Sequence, residues 1–155
     1  MDEPEKSRIA VGRRNRYAQP LKGGRELLMK EILLVGLGGF LGSAARYKLG
    51  GLVLHLAGQG RFPFGTFTVN ILGCLLIGGL MGAADRYNVL GPDTRLFLIV
   101  GLLGGFTTFS AFGLEAMELM RRGDLGIAML YAGASVVLGI AAVWLGFKFV
   151  SILSG

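Results

Sequence analysis

The chain has 155 residues, a mean hydropathy of +0.59 and 52% hydrophobic residues, which favours one membrane domain and leaves no room for a separate soluble catalytic domain. Its formal charge of +6 suggests nucleic acid at first sight, but half of the 16 Lys and Arg residues occur by Lys30, in a tail and its junction. A positive flank at anionic headgroups accounts for that placement more simply, so nucleic acid is not an expected partner. The single Cys74 excludes an intrachain disulfide and lies in an apolar run, and His55 has no companion ligands, so nucleophiles, bases and metal-binding clusters are sparse and an enzyme is not expected. The 27 glycines have no collagen period and lie mostly within apolar runs, where small residues let helices approach.

Residues 1–27 are polar and basic, with Pro4 and Pro20 among them, and read as a disordered N-terminal extension; residues 28–155 read as the membrane domain. The extension lacks a continuous apolar core before Leu27, which argues against an ordinary cleaved signal peptide, and Met29 offers an alternative start. The first span is expected from Leu28 to between Lys48 and Leu56. Gly38 and Gly42 are spaced for close helix packing. Arg46 has two readings, a helix-end residue snorkelling to headgroups or a cation at a water-filled vestibule that attracts an anion.

A loop is expected around Gly58 to Pro63, then a second span from Phe64 to Ala84. Thr66, Asn70 and Gly73 share one side of it, and Gly78 and Gly82 form another close-packing pair. Asn70 must satisfy a donor and an acceptor within the membrane, through a helix–helix hydrogen bond or contact with a permeating solute. Asp85 to Thr94 reads as a polar turn, with Asp93 or Thr94 as the cap of the next helix.

The third span carries no formal charge between Arg95 and Glu115, yet its middle, GLLGGFTTFSAF at Gly101 to Phe112, is a poor uniform helix. Gly104-Gly105 weakens the backbone, and Thr107, Thr108 and Ser110 carry hydroxyls that lipid would penalise. Such a stretch is tolerated where protein buries it or an aqueous cavity solvates it, so it reads as a site. Glu115 and Glu118 belong at a protein-facing edge or an interface. Arg121, Arg122, Gly123 and Asp124 end the span, and Leu125 to Phe147 makes the fourth crossing, with Tyr131, Ser135 and Gly139 on one face and Trp144 and Lys148 at an interfacial belt. Four crossings put both termini on one side. Arg46, Lys48, Arg61, Arg121 and Arg122 flank one face and Lys30, Arg86, Arg95 and Lys148 the other, so either orientation is reasonable unless the tail biases it.

GGFLGSAARY at Gly38 to Tyr47, GTFTVNILGCLLIG at Gly65 to Gly78 and GLLGGFTTFSAF together resemble the small fluoride channel family, also called CrcB or Fluc proteins, over roughly Met29 to Ser151. The resemblance implies an all-α membrane protein with four transmembrane helices per subunit, a broken third helix and an antiparallel, dual-topology homodimer in the plasma membrane, surrounded by lipids. It implies a passive fluoride channel that lowers cytoplasmic fluoride. Asn70, Phe109 and Phe112 look like the pore asparagine and paired phenylalanines; Thr108 and Ser110 share their stretch, Ser135 with Thr66 resembles part of a hydroxyl-bearing track, and Gly139 departs from members with another hydroxyl. Arg46 resembles the first-span arginine near the aqueous mouth. The family further implies a structural sodium ion on the two-fold axis, held by carbonyls of Gly104 and Thr107 from both subunits. A proton-coupled transporter using Glu115 or Glu118, and a nonconducting membrane scaffold, are the competing classes.

Overall fold

A computed structural model describes residues 22–58, 60–87 and 90–153. It divides into two units, Met1–Lys30 and Glu31–Gly155. Of the first unit, the described part is the start of helix α1; the rest of the extension lies outside the described residues.

The described chain is all helical. Helix α1 runs Lys22–Ala57 and α2 runs Phe64–Tyr87. A single turn, α3 (Pro92–Arg95), leads into a π-helical segment at Leu96–Leu103, followed by α4 (Gly104–Phe106), α5 (Phe109–Arg121) and α6 (Leu125–Leu153). These elements make four spans long and apolar enough to cross a membrane, the third being the composite Pro92–Arg121. The protein is a multi-pass membrane protein with one broken span.

The boundaries follow local chemistry. Helix α1 begins earlier than expected and continues through Gly50-Gly51, because flanking leucines keep the apolar pattern intact. It stops at Gly58, whose φ of 72° suits a residue without a β-carbon. The third span is not capped by Asp93 or Thr94: Gly91 takes the cap position with no side-chain hydrogen bond, and Pro92 enters at the first turn, where its missing N–H costs nothing. Gly123, at φ 82°, ends α5 and turns the chain into α6.

Glycines set the distances between spans. A β-carbon on Gly42 would collide with the Leu102 carbonyl and lie 2.8 Å from Phe106 N; one on Gly105 would lie 2.5 Å from the Gly39 carbonyl oxygen. Gly38 and Gly101 face each other in the same way. Thus α1 and the third span touch backbone to backbone, as the Gly38/Gly42 spacing suggested. Likewise Gly78 and Gly82 seat α2 on the Val143 and Phe147 carbonyls of α6, with Gly146 completing the contact from the other side. The buried cluster of Leu119, Ala128 and Tyr131, with Phe62, Phe67 and Phe112 packed on it, joins α5 to α6 and the loop before α2.

The loops confirm which ends of the spans lie together. Arg61, between α1 and α2, donates to Asp124, between α5 and α6, at 2.8 Å. Both loops therefore sit at one end of the bundle.

A broken helix and its two cavities

The break in the third span is two residues of extended backbone, Thr107 (φ −86°, ψ 160°) and Thr108 (φ −150°, ψ 121°). The third span is broken as expected, but the glycine pair expected to weaken the backbone is not where it departs from helix: Gly104 through Phe106 stay helical, and Gly104 has ordinary helical angles of φ −62°, ψ −39°. The reason is twofold. Gly105 is used for contact with Gly39 rather than for an unusual dihedral. Adjacent β-branched threonines favour extended backbone, and Thr108 is a good N-cap, accepting Ala111 N–H on its hydroxyl at 3.2 Å. That capping signal was present in the sequence and would have located the break two residues later.

An extended pair inside a membrane span releases backbone groups that need partners. Asn70, reaching from α2, satisfies Thr108 completely: its Nδ2 donates to Thr108 O at 3.0 Å and its Oδ1 accepts from Thr108 N at 2.8 Å. Because Thr108 N points to Asn70, it is withdrawn from Gly104 O, its partner in a continuous α-helix. From α1, Arg46 donates to Thr107 O at 3.2 Å and Ser43 Oγ to Gly105 O at 3.4 Å. The Thr107 hydroxyl donates back to Leu103 O at 2.9 Å. Arg46 is therefore not at a helix end. Helix α1 continues about 16 Å beyond it, at 1.5 Å per residue, to Ala57.

Two cavities meet at Thr108. One, of about 390 Å³, is lined by Asn70, Gly104, Thr107, Thr108, Phe109, Phe112 and Ser135 along with apolar residues. The other, of about 490 Å³, is lined by Ser43, Arg46, Thr66, Thr108, Ser110 and Glu115 among others. The residues singled out from sequence thus divide between two chambers: Asn70, Phe109, Phe112 and Ser135 border the first, Arg46, Thr66 and Ser110 the second.

The aromatic wall is continuous. Phe109 and Phe112 have ring centroids 5.5 Å apart and tilted by 36°, and Phe112 lies 5.0 Å from Tyr131. Phe109 is 83% exposed on the single chain, while Tyr131 is fully buried. Behind this wall Glu115 accepts from Thr66 Oγ1 at 2.6 Å and from Tyr131 OH at 2.7 Å, one bond to each carboxylate oxygen. Sequence reading placed Glu115 at a protein-facing edge but missed the Thr66–Glu115–Tyr131 connection, and it missed Ser43 altogether. Tyr131 was noticed only as part of a polar face. Glu118, by contrast, is exposed and pairs with Arg122 at 3.5 Å.

The chamber walls combine several properties suited to a small anion. Asn70 keeps one amide N–H after bonding Thr108 O. The Thr108 and Ser110 hydroxyls lie 3.3 Å apart, so the pair keeps one hydroxyl hydrogen after bonding each other. Phenylalanine edges carry the positive part of the ring quadrupole. For a cation, the described residues hold no group of three His, Cys, Asp or Glu side chains, so neutral carbonyls would have to serve. Gly104 O, deprived of its helical donor, fits that role. Thr107 O already receives the Arg46 guanidinium and has only its second lone pair to offer.

Four apolar spans, a broken third helix and a chamber at the break lined by Asn70, Thr108, Ser135 and two phenylalanines define a multi-pass membrane protein with a polar site at mid-span. The family model described as CrcB-like protein, Camphor Resistance (CrcB), matches residues 33–147. The fluoride-specific ion channel FluC of Methylobacillus flagellatus is 54% identical over 122 residues, covering 79% of this chain and 95% of that protein. Those of Nitratidesulfovibrio vulgaris and Thermus thermophilus are 49% and 46% identical, covering 76% and 82% of this chain and 94% and 100% of theirs. The chain belongs to the CrcB/FluC family.

Proposed function

We infer that this protein is a fluoride-specific ion channel that lets fluoride leave the cytoplasm passively across the bacterial inner membrane. The observation that carries the reading from the chain itself is the convergence of Asn70, Phe109, Phe112 and Ser135 on one chamber at the extended break, within a chain of this family. Fluoride is strongly hydrated and a dry apolar hole would exclude it; the spare Asn70 N–H, the Thr108–Ser110 hydroxyl pair, Ser135 and the phenylalanine edges replace part of its water. None of these groups is a fixed cation, so binding is weak enough for release, which conduction requires.

The working unit we propose is an antiparallel homodimer. Phe109, Ser110 and Gly104 are exposed on the single chain beside the chamber, so the path lacks a wall that a second copy would supply. A structural sodium ion at the two-fold axis, held by the Gly104 and Thr107 carbonyls of both subunits, is part of the same proposal; it would cross-link two broken helices and is not transported. Gly104 suits it better than Thr107, whose carbonyl Arg46 already engages.

Reconstitution into liposomes tests the function. Fluoride efflux should follow an imposed voltage without a proton or sodium gradient, and chloride efflux should be negligible. Efflux that requires a coupling gradient would indicate a transporter, and none from intact dimers would indicate a scaffold. Replacing Asn70, Phe109 or Phe112 should lower flux while dimers still assemble; normal flux in all three variants would remove the path from this chamber.

A further inference from the structure

We propose that Ser43 and Arg46 are positioning residues that hold the broken backbone from the first span, and that the conduction rate depends on this grip rather than on Arg46 collecting anions at a pore mouth. The proposal rests on the fluoride-channel reading above.

Ser43 and Arg46 are three residues apart in α1 and so lie on one helical face. That face meets the third span where the glycines bring the two backbones together, with Gly42 against Leu102 and Phe106. There the two side chains bond alternate carbonyls leading into the break, Ser43 to Gly105 in the last helical turn and Arg46 to Thr107. Asn70 holds the next residue, Thr108, from the opposite helix. The extended pair and the turn that leads into it are thus gripped from two sides, α1 on the carbonyls of Gly105 and Thr107 and α2 on the backbone N–H and carbonyl of Thr108.

Among the described residues, no carboxylate is bonded to Arg46. Glu115 shares its chamber, but both Glu115 oxygens are occupied by Thr66 and Tyr131. The guanidinium donates instead to the carbonyl of Thr107, the residue that turns the chain out of the helix. Phe109 and Phe112 follow directly on the rigid helix that Thr108 caps. A change in the angle of the Thr107–Thr108 link therefore moves both rings relative to Asn70. Small misplacements of this kind reduce rates steeply when geometry decides the outcome.

The two roles of Arg46 separate in the dependence of flux on fluoride concentration. An anion collector changes the concentration needed for half-maximal flux; a positioning residue changes the maximum. Ser43 sharpens the distinction, since it is uncharged and its removal leaves the electrostatics of the chamber nearly unchanged. Voltage-driven fluoride flux should be measured in liposomes from low to saturating fluoride for the wild-type protein, Ser43→Ala, Ser43→Thr, Arg46→Gln and the double variant Ser43→Ala/Arg46→Gln, each first shown to elute as the same oligomer. We expect Arg46→Gln to lower maximal flux by about tenfold and Ser43→Ala by about threefold, with half-saturation shifted less than about twofold. Ser43→Thr, which keeps the hydroxyl, should restore most of the flux, and the double variant should lose less than the product of the two single losses. Wild-type maximal flux in Ser43→Ala, or an Arg46→Gln defect confined to the half-saturating concentration, overturns the proposal. Absence of fluoride flux in the wild-type protein would instead refute the channel reading on which it rests.

Discussion

At the scale of single residues, the membrane interior contains few polar side chains, and most of them are committed to named partners. Glu115 is the clearest case: a carboxylate within a span is costly unless hydrogen-bonded, and Thr66 and Tyr131 supply one bond to each oxygen. Tyr131→Phe keeps the ring that packs on Phe112 and Phe62 but leaves one Glu115 oxygen without its donor. It should cost about 1–3 kcal/mol, read as a lower thermal unfolding midpoint in detergent with helix content unchanged. Glu115→Ala/Tyr131→Phe should be less damaging than the sum of its parts, because the two residues share one interaction. An unaltered midpoint in Tyr131→Phe would mean that this bond contributes nothing to the fold. Asn70 shows how far residue reading reached. Its need for a donor and an acceptor partner was legible, and the backbone of Thr108 meets it, using one amide N–H and the amide oxygen while the second N–H remains.

The elements are fixed by where backbones touch. Gly42→Ala places a methyl group on the Leu102 carbonyl and must push α1 away from the third span, whereas Gly36→Ala meets nothing within 4 Å. The first should destabilise by about 1–3 kcal/mol through overpacking. The second should be neutral or stabilising by up to about 1 kcal/mol, since alanine is the better helix former. Thermal midpoints of the two variants, measured side by side, check the assignment, and equal midpoints would contradict it. Gly104 behaves differently from both. Its β-carbon position is free, with the nearest atom, Ile99 O, at 3.8 Å, and its dihedrals are helical. Gly104→Leu should therefore leave the single subunit folded and act only where a second copy approaches, lowering the dimer fraction in size-exclusion chromatography. Monomers that fail to fold would count against this; undiminished dimers would count against Gly104 at the interface. The four spans were legible because charge-free runs of bilayer length leave little alternative. The position of the break was not, because a glycine pair serves equally for flexibility and for close packing, and only the α1 backbone beside Gly105 decides between them. The depth of Arg46 was hidden for a related reason: a charge within an apolar run resembles a helix end until a carbonyl partner inside the membrane is known.

For the whole molecule, the question is how one chain inserts. With Arg46 and Lys48 both well short of the end of α1 at Ala57, Arg61, Arg121 and Arg122 remain at one end of the spans and Lys30, Arg86, Arg95 and Lys148 at the other. The Arg61–Asp124 bond supports the grouping of the first end, since it joins the two loops there. Lysine and arginine near the span ends set orientation while acidic partners contribute little, so this near balance predicts little preference from the membrane domain alone. The basic residues among 1–27 are then the only large bias, and they favour cytoplasmic termini. A reporter fused to the C-terminus, which lies on the same side as the N-terminus after four crossings, should show both orientations in comparable amounts when residues 1–27 are removed. Adding a lysine by Gly91→Lys, at the end that holds Arg86, Arg95 and the termini, should shift that mixture towards cytoplasmic termini, the same direction in which the tail acts. The full chain should retain a substantial fraction of each orientation if it assembles as the proposed antiparallel homodimer, which draws on both. If every full-length copy reports cytoplasmic termini while fluoride flux persists, the active assembly is parallel or monomeric, and the two-fold axis in the membrane plane, with the sodium site placed on it, falls with that result.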